Sequence, residues 1–367
     1  MASDLMGSRG GTPAEIMPIP PSQLETPCFV ILQDAVQHNL QRTAQAAGGV
    51  KRLMPHIKTH RAQWLVEFMR SEGVSAFKTA TPAEVEIGLQ GGAPYVVWAY
   101  PTVNPASVAR VAQAARKHPR ARVTALIDSK QGLEAWTAEL RSRPASNIRL
   151  RVDLDPGLGR TGVAIGDEAY ELATAAQAAD LFEGWHAYDG HIQNPDRVER
   201  IRIVGQLVER LRAFIGHGAG RGLERDLIAA GSYSFDIWPP DVARWVSPGS
   251  WTFSSSQHDA DLSDLRWRIA GYVVATVLSV RSGTATLDAG SKAISPDMPM
   301  VDRFRGPGPI RFMKEEHVVI GSDHLKVGDR VALIPRHGCT AAYLYDRAMV
   351  RLLDGSWQTR PQLGAAR

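Results

Sequence analysis

Met54-Pro55-His56-Ile57-Lys58-Thr59-His60 places a lysine directly after a short apolar run and directly before a helical pattern. The run at residues 50–54 predicts a strand, and Pro55 ends it because proline cannot supply the ladder hydrogen bond of a central strand. A lysine at such a turn is compatible with an ordinary surface residue. It is also typical of a Schiff-base lysine, since an amine at a strand end beside cationic neighbours is held partly deprotonated and nucleophilic.

Seven more short β-rich runs follow residues 50–54 along the chain, and amphipathic helical patterns separate them. The eight predicted strands are residues 50–54, 76–79, 95–100, 123–128, 148–153, 182–189, 226–230 and 243–246, and the clearest helices are residues 107–117, 167–179 and 195–215. Strands that alternate with helices predict a parallel sheet, and a count of eight predicts a (β/α)8 TIM-type barrel. A doubly wound open sheet is the alternative, but no Gly-x-Gly-x-x-Gly motif follows the first predicted strand.

The sequence after about residue 265 changes character. Short β-rich runs, without helical periods, are separated by Gly, Pro, Ser and Asp turns at residues 272–280, 284–288, 317–320, 330–334 and 341–345. This pattern predicts a second, smaller all-β domain at residues 266–367, after an α/β barrel domain at residues 26–265. Residues 1–25 are rich in Gly, Pro, Ser and Met without a period, which predicts a flexible N-terminal arm.

The composition narrows the functional classes. The 367 residues include 42 Lys and Arg against 38 Asp and Glu, and the basic residues are scattered, so a nucleic-acid-binding stripe is not expected. No apolar run reaches membrane-spanning length, and the first 25 residues lack the pattern of a signal peptide. The two cysteines, Cys28 and Cys339, lie far apart in the sequence, which excludes a disulfide framework and favours a reducing, cytoplasmic environment.

Candidate functional residues follow the fifth and sixth predicted strands, and the loops after the strands form the active face of a barrel. The fifth strand leads into a glycine-rich loop that carries Arg160, which either points into a ligand site or pairs with Asp153 or Asp155. The sixth strand leads into Tyr188-Asp189-Gly190-His191, where the glycine lets the backbone approach a ligand. His191 is therefore a candidate ligand-binding residue, with a buried structural histidine as the alternative.

Two glycine-containing turns follow the seventh and eighth predicted strands. They are Gly231-Ser232-Tyr233 and, after Ser247-Pro248, Gly249-Ser250. Barrels commonly build a phosphate site from backbone N–H groups and small hydroxyls at these two strand ends. Each turn alone is also ordinary turn chemistry, so the prediction of a phosphate site depends on the two turns lying together.

His337 and Cys339 are the best candidates for metal ligands. They lie in Pro335-Arg336-His337-Gly338-Cys339-Thr340, and residues i and i+2 of an extended strand point to the same face. Imidazole and thiolate together suit Zn²⁺. Two protein ligands leave positions open for water and substrate, which is the arrangement of a catalytic site.

The motif Pro55-His56-Ile57-Lys58-Thr59-His60 resembles the cofactor-lysine motif of fold-type III pyridoxal 5'-phosphate (PLP) enzymes, and the resemblance extends from about residue 26 to the C-terminus. It is strongest to the branch that contains D-threonine aldolases and D-serine dehydratases, which are relatives of alanine racemase. The resemblance implies that PLP is the cofactor and that Lys58 holds it. It also implies cofactor-binding roles, with His191 beside the cofactor ring, for His56, Arg160, Tyr188, Gly231, Ser232, Tyr233, Gly249 and Ser250.

One departure from the family's pattern concerns the pyridine nitrogen of the cofactor. Alanine racemases have an arginine just before the Pro-Gly of the last turn, whereas this chain has Ser247. The partner of the nitrogen therefore stays open, with Tyr188 as our candidate. The resemblance also implies a divalent metal on His337 and Cys339, because this branch binds one through His-x-Cys or His-x-Asp and alanine racemases do not. Zn²⁺ is expected first, with Mn²⁺ or Mg²⁺ as alternatives.

These features together imply a PLP- and metal-dependent lyase that acts on β-hydroxy D-amino acids, with Lys58, His191 and Arg160 as its catalytic residues. Dehydration would have Lys58 remove the Cα proton, whereas retro-aldol cleavage would have His191 or a water take the hydroxyl proton. The cysteine ligand favours dehydration. The alternatives are an amino-acid racemase, which would need no metal, and a non-catalytic PLP carrier, which would lack the β domain. A homodimer is expected, with a small-molecule substrate and no nucleic-acid or membrane partner.

Overall fold

The computed structural model describes residues 17–367. The first 16 residues of the predicted arm lie outside the described residues, and the remainder lies against the second domain. The Arg330 guanidinium donates to the carbonyl oxygens of Pro20 at 3.0 Å and Leu24 at 3.1 Å, and Met17 is buried. The described part of the arm is therefore held by hydrogen bonds and by apolar packing.

A curved parallel sheet forms the barrel domain. Its strands are Ala76–Thr79, Tyr95–Trp98, Arg122–Ile127, Ile148–Asp155, Phe182–Ala187, Leu227–Ala229 and Trp245–Val246, with the short strand Val163–Ala164 beside Ile148–Asp155. The helices that precede, separate or follow these strands are Gln33–Ala47, Gln63–Ser71, Pro82–Gln90, Pro105–Lys117, Lys130–Ser142, Asp167–Ala178, Arg197–Gly220 and Ser256–Asp261. Helical crossovers allow successive strands to run parallel, as the alternating pattern predicted. The predicted α/β barrel is confirmed.

The first predicted strand, residues 50–54, is wrong as a strand, although this segment closes the barrel. Its first three residues form a single 3-10 turn, and isolated bridges then join Leu53 to Val246 and His56 to Lys78. The proline between the two bridging residues has no N–H to donate, so a continuous ladder cannot form. The ring of strands is therefore completed by single residue pairs on either side of the proline.

A second, largely antiparallel sheet forms the smaller domain, as predicted. Across the sheet its strands are Ile310–Met313, Val318–Gly321, Thr284–Leu287, Gly271–Arg281, Cys28–Leu32, Arg347–Arg351 and Trp357–Pro361, with Arg330–Pro335 and Phe304–Arg305 branching from Gly271–Arg281. Cys28–Leu32 precedes the barrel in the chain, yet it pairs antiparallel with Gly271–Arg281 and parallel with Arg347–Arg351. The chain therefore starts in the second sheet, builds the barrel and returns.

The last predicted strand of the second domain, residues 341–345, is wrong. Gly338–Tyr343 is an α-helix, and it begins directly after the extended residue His337. Ala341 and Ala342 are buried in this helix, and alanine is the strongest helix former. A short apolar run does not distinguish a strand from a buried helix, so tertiary packing decides between them.

The barrel interior is filled by side chains. A separate apolar cluster gathers residues from strands around the ring, namely Met54, Ala76, Tyr95, Val97, Leu126, Ile228 and Trp245. Near the amino ends of the strands the fully buried Arg151 pairs with Asp226 at 2.7 Å and with Glu183 at 3.4 Å. A ligand site therefore has room only at the carboxyl ends of the strands. No helix within residues 17–367 is both long and apolar enough to cross a membrane.

Candidate active site

A cavity of about 270 Å³ lies where the carboxyl ends of the barrel strands meet the second domain. Side chains of both domains line it, among them Lys58, Tyr188, Ser232 and Ser250 from the barrel and His337 and Cys339 from the second domain. Amine, phenol, hydroxyl, imidazole and thiol groups therefore open onto one space. The structure brings most of the predicted site residues to this cavity, although they lie on separate segments of the chain.

Lys58 is the middle residue of the one-turn 3-10 helix Ile57–Thr59, and its side chain is exposed to the cavity. The Nδ1 atom of His56 accepts the Lys58 backbone N–H at 3.4 Å. A Cβ atom at Gly249 would lie 2.8 Å from the His56 carbonyl oxygen and 2.9 Å from Thr59 Oγ1. Only glycine lets the loop after the last barrel strand pack this closely against the lysine turn.

His56 is neutral in this arrangement. Burial, followed by the charges of Lys58 and Lys78, lowers the pKa of His56 well below its usual value. Because its Nδ1 accepts a backbone N–H, the proton of the neutral ring is on Nε2. His56 thus supports the backbone of the lysine turn without adding a positive charge to the site.

The two glycine-serine turns lie together, as a phosphate site requires. Ser232 Oγ accepts the backbone N–H groups of Gly249 at 3.3 Å and Ser250 at 3.1 Å. The next residue, Tyr233, has its hydroxyl engaged by Asp261 at 2.7 Å, which fixes the direction of the first turn. The two turns therefore meet in one corner of the cavity, which Ser232 and Ser250 both line.

The Tyr188 ring is surrounded by cationic side chains. Its centre lies 5.9 Å from Lys58 Nζ, 5.2 Å from Lys78 Nζ and 5.1 Å from Arg160 Cζ. A Cβ atom at Gly190 would overlap this ring, so the glycine two residues later makes room for it. Positive charges around an aromatic wall favour an anionic ligand, and the ring itself interacts favourably with cations.

The loop after Ile148–Asp155 is held by its own carboxylates. Asp155 Oδ1 accepts the N–H groups of Gly157 at 2.9 Å and Gly159 at 3.1 Å, while Asp153 bonds to His186 at 2.6 Å. Neither aspartate pairs with Arg160 in the part of the chain that the structure describes. The side chain of Arg160 instead lies beside Tyr188.

His191 is not brought into the cavity. Its side chain is exposed and lies against the loop at Gly157, where an added Cβ atom would be 3.5 Å from His191 Nε2. Its neighbours Tyr188, Gly190 and Ile192 do line the cavity. The structure therefore leaves His191 at the rim, while the rest of its loop forms the wall.

His337 and Cys339 meet, but through a helix and not through a strand. The expectation that they share one face of a strand is wrong, because His337 precedes helix Gly338–Tyr343 and Cys339 lies in its first turn. Their side chains line the same part of the cavity. His337 Nδ1 also bonds to Asp297 Oδ2 at 2.6 Å, which leaves Nε2 as the nitrogen available to a ligand.

His337 and Cys339 shift each other's pKa in the directions that favour an imidazolium and a thiolate. Burial opposes both charges, but their mutual interaction raises the pKa of His337 and lowers that of Cys339. Thiolate sulfur and imidazole nitrogen are ligands that Zn²⁺ prefers. Within residues 17–367 no three His, Cys, Asp or Glu side chains are arranged to hold an ion, so an ion at this pair would have two protein ligands.

Two buried titratable residues near the site, Lys78 and His258, belong to none of the sequence motifs. Lys78 is buried and donates to Ser247 Oγ at 3.1 Å. His258 lines the cavity, its Nδ1 bonded to Ser255 Oγ at 2.7 Å, and burial lowers its pKa to about 4. The one available signal was a lysine within the otherwise apolar strand Ala76–Thr79. No sequence signal indicated His258.

The residues of the cavity fit PLP. The cofactor needs an amine for its aldehyde, a pocket for its phosphate and a flat wall for its ring, and Lys58, the two glycine-serine turns and Tyr188 provide these. A Cβ atom at Gly231 would lie 3.0 Å from the Tyr188 ring. Because Gly231 has no side chain, the space between the Tyr188 ring and the two glycine-serine turns stays open.

Comparisons with known proteins agree with this geometry. Residues 31–256 match the family described as alanine racemase, N-terminal domain, and residues 270–351 match the putative serine dehydratase domain. The chain is 27% identical to 3-hydroxy-D-aspartate aldolase from Paracoccus denitrificans (strain Pd 1222), with 86% of each protein covered. It is 24% identical to D-threo-3-hydroxyaspartate dehydratase from Delftia sp. (strain HT23), covering 93% of this chain and 97% of that protein. D-threonine aldolase from Filomicrobium marinum superposes with a TM-score of 0.83 at 26% identity, covering 94% of this chain and 96% of that structure.

Proposed function

Since the chain belongs to the fold-type III PLP enzymes that join an alanine racemase N-terminal domain to a serine dehydratase domain, we propose that it is a PLP-dependent lyase acting on β-hydroxy D-amino acids. One observation carries the proposal: Lys58 and the His337–Cys339 pair open onto the same cavity. Lys58 would act at the Cα atom of a bound amino acid, and the His337–Cys339 pair would act at its β-oxygen. The similarity to both aldolases and dehydratases supports this substrate class.

The barrel residues would hold the cofactor. PLP supplies the electron sink that stabilises negative charge at Cα. Lys58 would bind it, Ser232, Ser250 and the backbone N–H groups of their turns would hold the phosphate, and Tyr188 would contact the ring. The cationic groups around Tyr188 would balance the negative charges of the phosphate and of the substrate carboxylate.

His337 and Cys339 would hold a divalent ion, for which Zn²⁺ is the best match. Such an ion supplies a Lewis acid for the β-hydroxyl oxygen. Asp297 orients His337 through the 2.6 Å contact to Nδ1, as carboxylates commonly do for metal-bound histidines. The ligand pair lies in the second domain, so metal binding and cofactor binding use different residues.

We propose dehydration as the reaction. Lys58 would take the Cα proton, the Cβ–O bond would break, and the hydroxyl would leave as water. The resulting enamine would then take up water to give a 2-oxo acid and ammonia. His191, which together with a water is a base expected for retro-aldol cleavage, does not line the cavity, whereas Lys58, the base expected for dehydration, does. This difference supports dehydration over cleavage of the Cα–Cβ bond.

The chain is also proposed to act as a homodimer. Tyr100 and Val103 follow strand Tyr95–Trp98 at the carboxyl end of the barrel, and they are 54% and 58% exposed. Large apolar side chains near the mouth of a site are commonly covered by a partner. Sedimentation of the active protein as a monomer would contradict this proposal.

Product analysis tests the proposed reaction. The purified, PLP-loaded protein is incubated with D-serine, D-threonine and 3-hydroxy-D-aspartate, with the L isomers as controls. A 2-oxo acid with ammonia is expected, and chelator treatment is expected to abolish its formation. Glycine or another shortened amino acid together with an aldehyde would indicate the aldolase reaction instead. Racemisation without loss of the hydroxyl, unaffected by chelator, would refute the lyase.

A further inference from the structure

Lys78 is a buried lysine in the barrel interior that belongs to neither the lysine turn nor the metal-ligand pair. It follows Ala76 by two residues on strand Ala76–Thr79, so its side chain points to the same face as Ala76, a member of the interior cluster. Only 3% of Lys78 is exposed. The bridge between His56 and Lys78 places it next to the turn that carries Lys58.

The amine of Lys78 is held by a hydroxyl and not by a carboxylate. Its Nζ donates to Ser247 Oγ at 3.1 Å, and that hydroxyl lies 3.3 Å and 3.2 Å from the carbonyl oxygens of Ala229 and Ala230. Among residues 17–367 the amine forms no ion pair. Buried lysines are normally paired because an uncompensated charge inside a protein is costly. A purely structural role would be served better by an apolar side chain.

Charged and titratable groups face this amine from several elements. They are Lys58, His56, Arg160, Asp153, His186 and Asp189. The two carboxylates are engaged elsewhere, since Asp153 bonds to His186 Nδ1 at 2.6 Å and Asp189 accepts from Trp238 Nε1 at 2.9 Å. Burial, and after it the charge of Lys58, lowers the pKa of Lys78 to about 7. Lys78 therefore exchanges a proton in the neutral pH range.

We propose that Lys78 is a positioning residue for the cofactor ring and that, together with Ser247, it supplies the polar partner of the pyridine nitrogen. The inference rests on the proposed function, because it requires PLP on Lys58. Lys78 Nζ lies 5.2 Å from the centre of the Tyr188 ring, which is itself a wall of the cavity. The side chain of Ser247 is too short to take the place of an arginine. Its hydrogen bond with Lys78, which lies on another strand, brings a cationic group to the position that an arginine would occupy.

The charge of Lys78 should then control the charge of the ring. A cation beside the pyridine nitrogen disfavours a second positive charge, so the nitrogen stays unprotonated while Lys78 is charged. Loss of the Lys78 proton removes this repulsion. The visible absorption of bound PLP is therefore expected to change as Lys78 titrates.

The test compares PLP-loaded wild type with Lys78→Met and with the control Lys51→Met, which removes an exposed lysine outside the site. The absorption spectrum is recorded across the neutral pH range, and PLP affinity is measured by titration of the PLP-free protein. Wild type and control should show a spectral transition below the usual titration range of a lysine, because Lys78 stays buried. Lys78→Met should lose the transition and bind PLP about ten- to a hundredfold more weakly. An unchanged transition in Lys78→Met would overturn the inference.

Ser247→Ala keeps the inference testable if Lys78→Met does not fold. It leaves the amine in place but removes its hydrogen-bond acceptor, so the midpoint should move to lower pH. An unchanged midpoint in Ser247→Ala would overturn the inference. Wild-type protein that takes up no PLP would overturn the proposed function and this inference together. PLP uptake with an unaltered Lys78→Met spectrum would overturn the inference alone.

Discussion

Cys339 Sγ donates a hydrogen bond to Thr59 Oγ1 at 3.4 Å, and this contact joins the second domain to the residue directly after Lys58. The thiol and the amine come from opposite parts of the chain, yet they face the same cavity. Lys58 and the His337–Cys339 pair can therefore both contact one small molecule in the cavity. Because the two groups belong to different domains, a substitution in one is expected to leave the other in place.

Cys339→Ala should abolish metal-assisted activity while PLP stays bound. The substitution removes one of the two proposed metal ligands, and loss of a Lewis acid that contributes several kcal/mol to transition-state stabilisation lowers the rate on the order of hundreds-fold or more. Cys339→Asp should restore part of the activity with Mn²⁺, because a carboxylate prefers a harder ion. The measurements are kcat/KM on a β-hydroxy D-amino acid, metal content and visible absorption.

Cys28→Ala is the matched control for this prediction. Cys28 is the only other cysteine of the chain and lies in strand Cys28–Leu32 of the second sheet, away from the cavity. It should retain full metal content and activity. Full activity in Cys339→Ala, with no metal found in the wild type, would move the assignment towards a racemase.

Asp297→Asn should weaken metal binding without removing a ligand. Asp297 holds His337 Nδ1 at 2.6 Å, and loss of such a carboxylate partner typically costs ten- to a hundredfold in metal affinity. Asp302→Asn is the control, since Asp302 is exposed and lies in the neighbouring turn Met300–Asp302. Metal affinity is measured by competition with a chelator of known strength. Equal affinities in the two variants would show that Asp297 does not orient the histidine.

Lys58→Ala should bind PLP only weakly and should be inactive. Without the amine, the cofactor keeps its phosphate and ring contacts but loses its covalent attachment. Reduction of the wild type with borohydride, followed by peptide mapping, should place the pyridoxyl group on Lys58. Lys51→Ala serves as the control, because Lys51 is exposed and lies seven residues earlier. A pyridoxyl group on Lys78, or activity retained in Lys58→Ala, would reject the role of Lys58.

The fold was predictable from sequence where hydrophobic pattern alone determines structure. Tyr95–Trp98 is continuously apolar, which is typical of a buried parallel strand. Ile148–Asp155 alternates apolar with charged residues and is recognised as a strand by that alternation and by the helices on either side of it. The segment at residues 50–54 was mistaken for a strand because its pairing is limited to single residues around a proline. Residues 341–345 were mistaken for a strand because a short apolar run carries no reliable period.

The candidate site was predictable only where its residues belong to motifs. The turns that carry Lys58, Ser232 and Ser250 each have a local pattern. Asp297 and His337 meet across 40 residues of chain, and no local pattern indicates such a contact. Lys78 was missed for a related reason, since its burial depends on the closure of the barrel around it and not on its neighbours in sequence.

Arg151→Met should strongly destabilise the barrel domain. Arg151 is fully buried and pairs with both Asp226 and Glu183. Its removal leaves these buried carboxylates with only the more exposed Arg244 and Arg122 as partners, at a cost of up to about 3–5 kcal/mol. Arg149→Met, on the same strand, is the control. The carboxylate that Arg149 reaches is the exposed Asp180, at 4.0 Å, and its other contacts are the nearby carbonyl oxygens of Ser146 and Ile148. Surface ion pairs contribute about 0–1 kcal/mol. Denaturant unfolding measures both variants, and equal midpoints would contradict a structural role for Arg151.

The stability of the PLP-free protein should rise with pH because of Lys78. Burial lowers its pKa in the folded state to about 7, against 10.5 for an ordinary lysine. Between these values the unfolded chain binds more protons than the folded chain, so the free energy of unfolding increases as pH rises through this window. Below pH 7 both states are protonated and the full cost of the buried charge remains.

Lys78→Met removes this cost and should therefore change the pH dependence of stability in a defined way. The variant should exceed the wild type by roughly 3–5 kcal/mol below neutral pH, and the difference should shrink as pH approaches 10.5. Urea unfolding of the PLP-free proteins at several pH values measures the difference, and Lys51→Met should follow the wild type throughout. A pH-independent difference between Lys78→Met and the wild type would mean that Lys78 keeps an ordinary pKa in the folded protein. Its amine would then be charged throughout the neutral range, and it could not switch the charge of a cofactor ring.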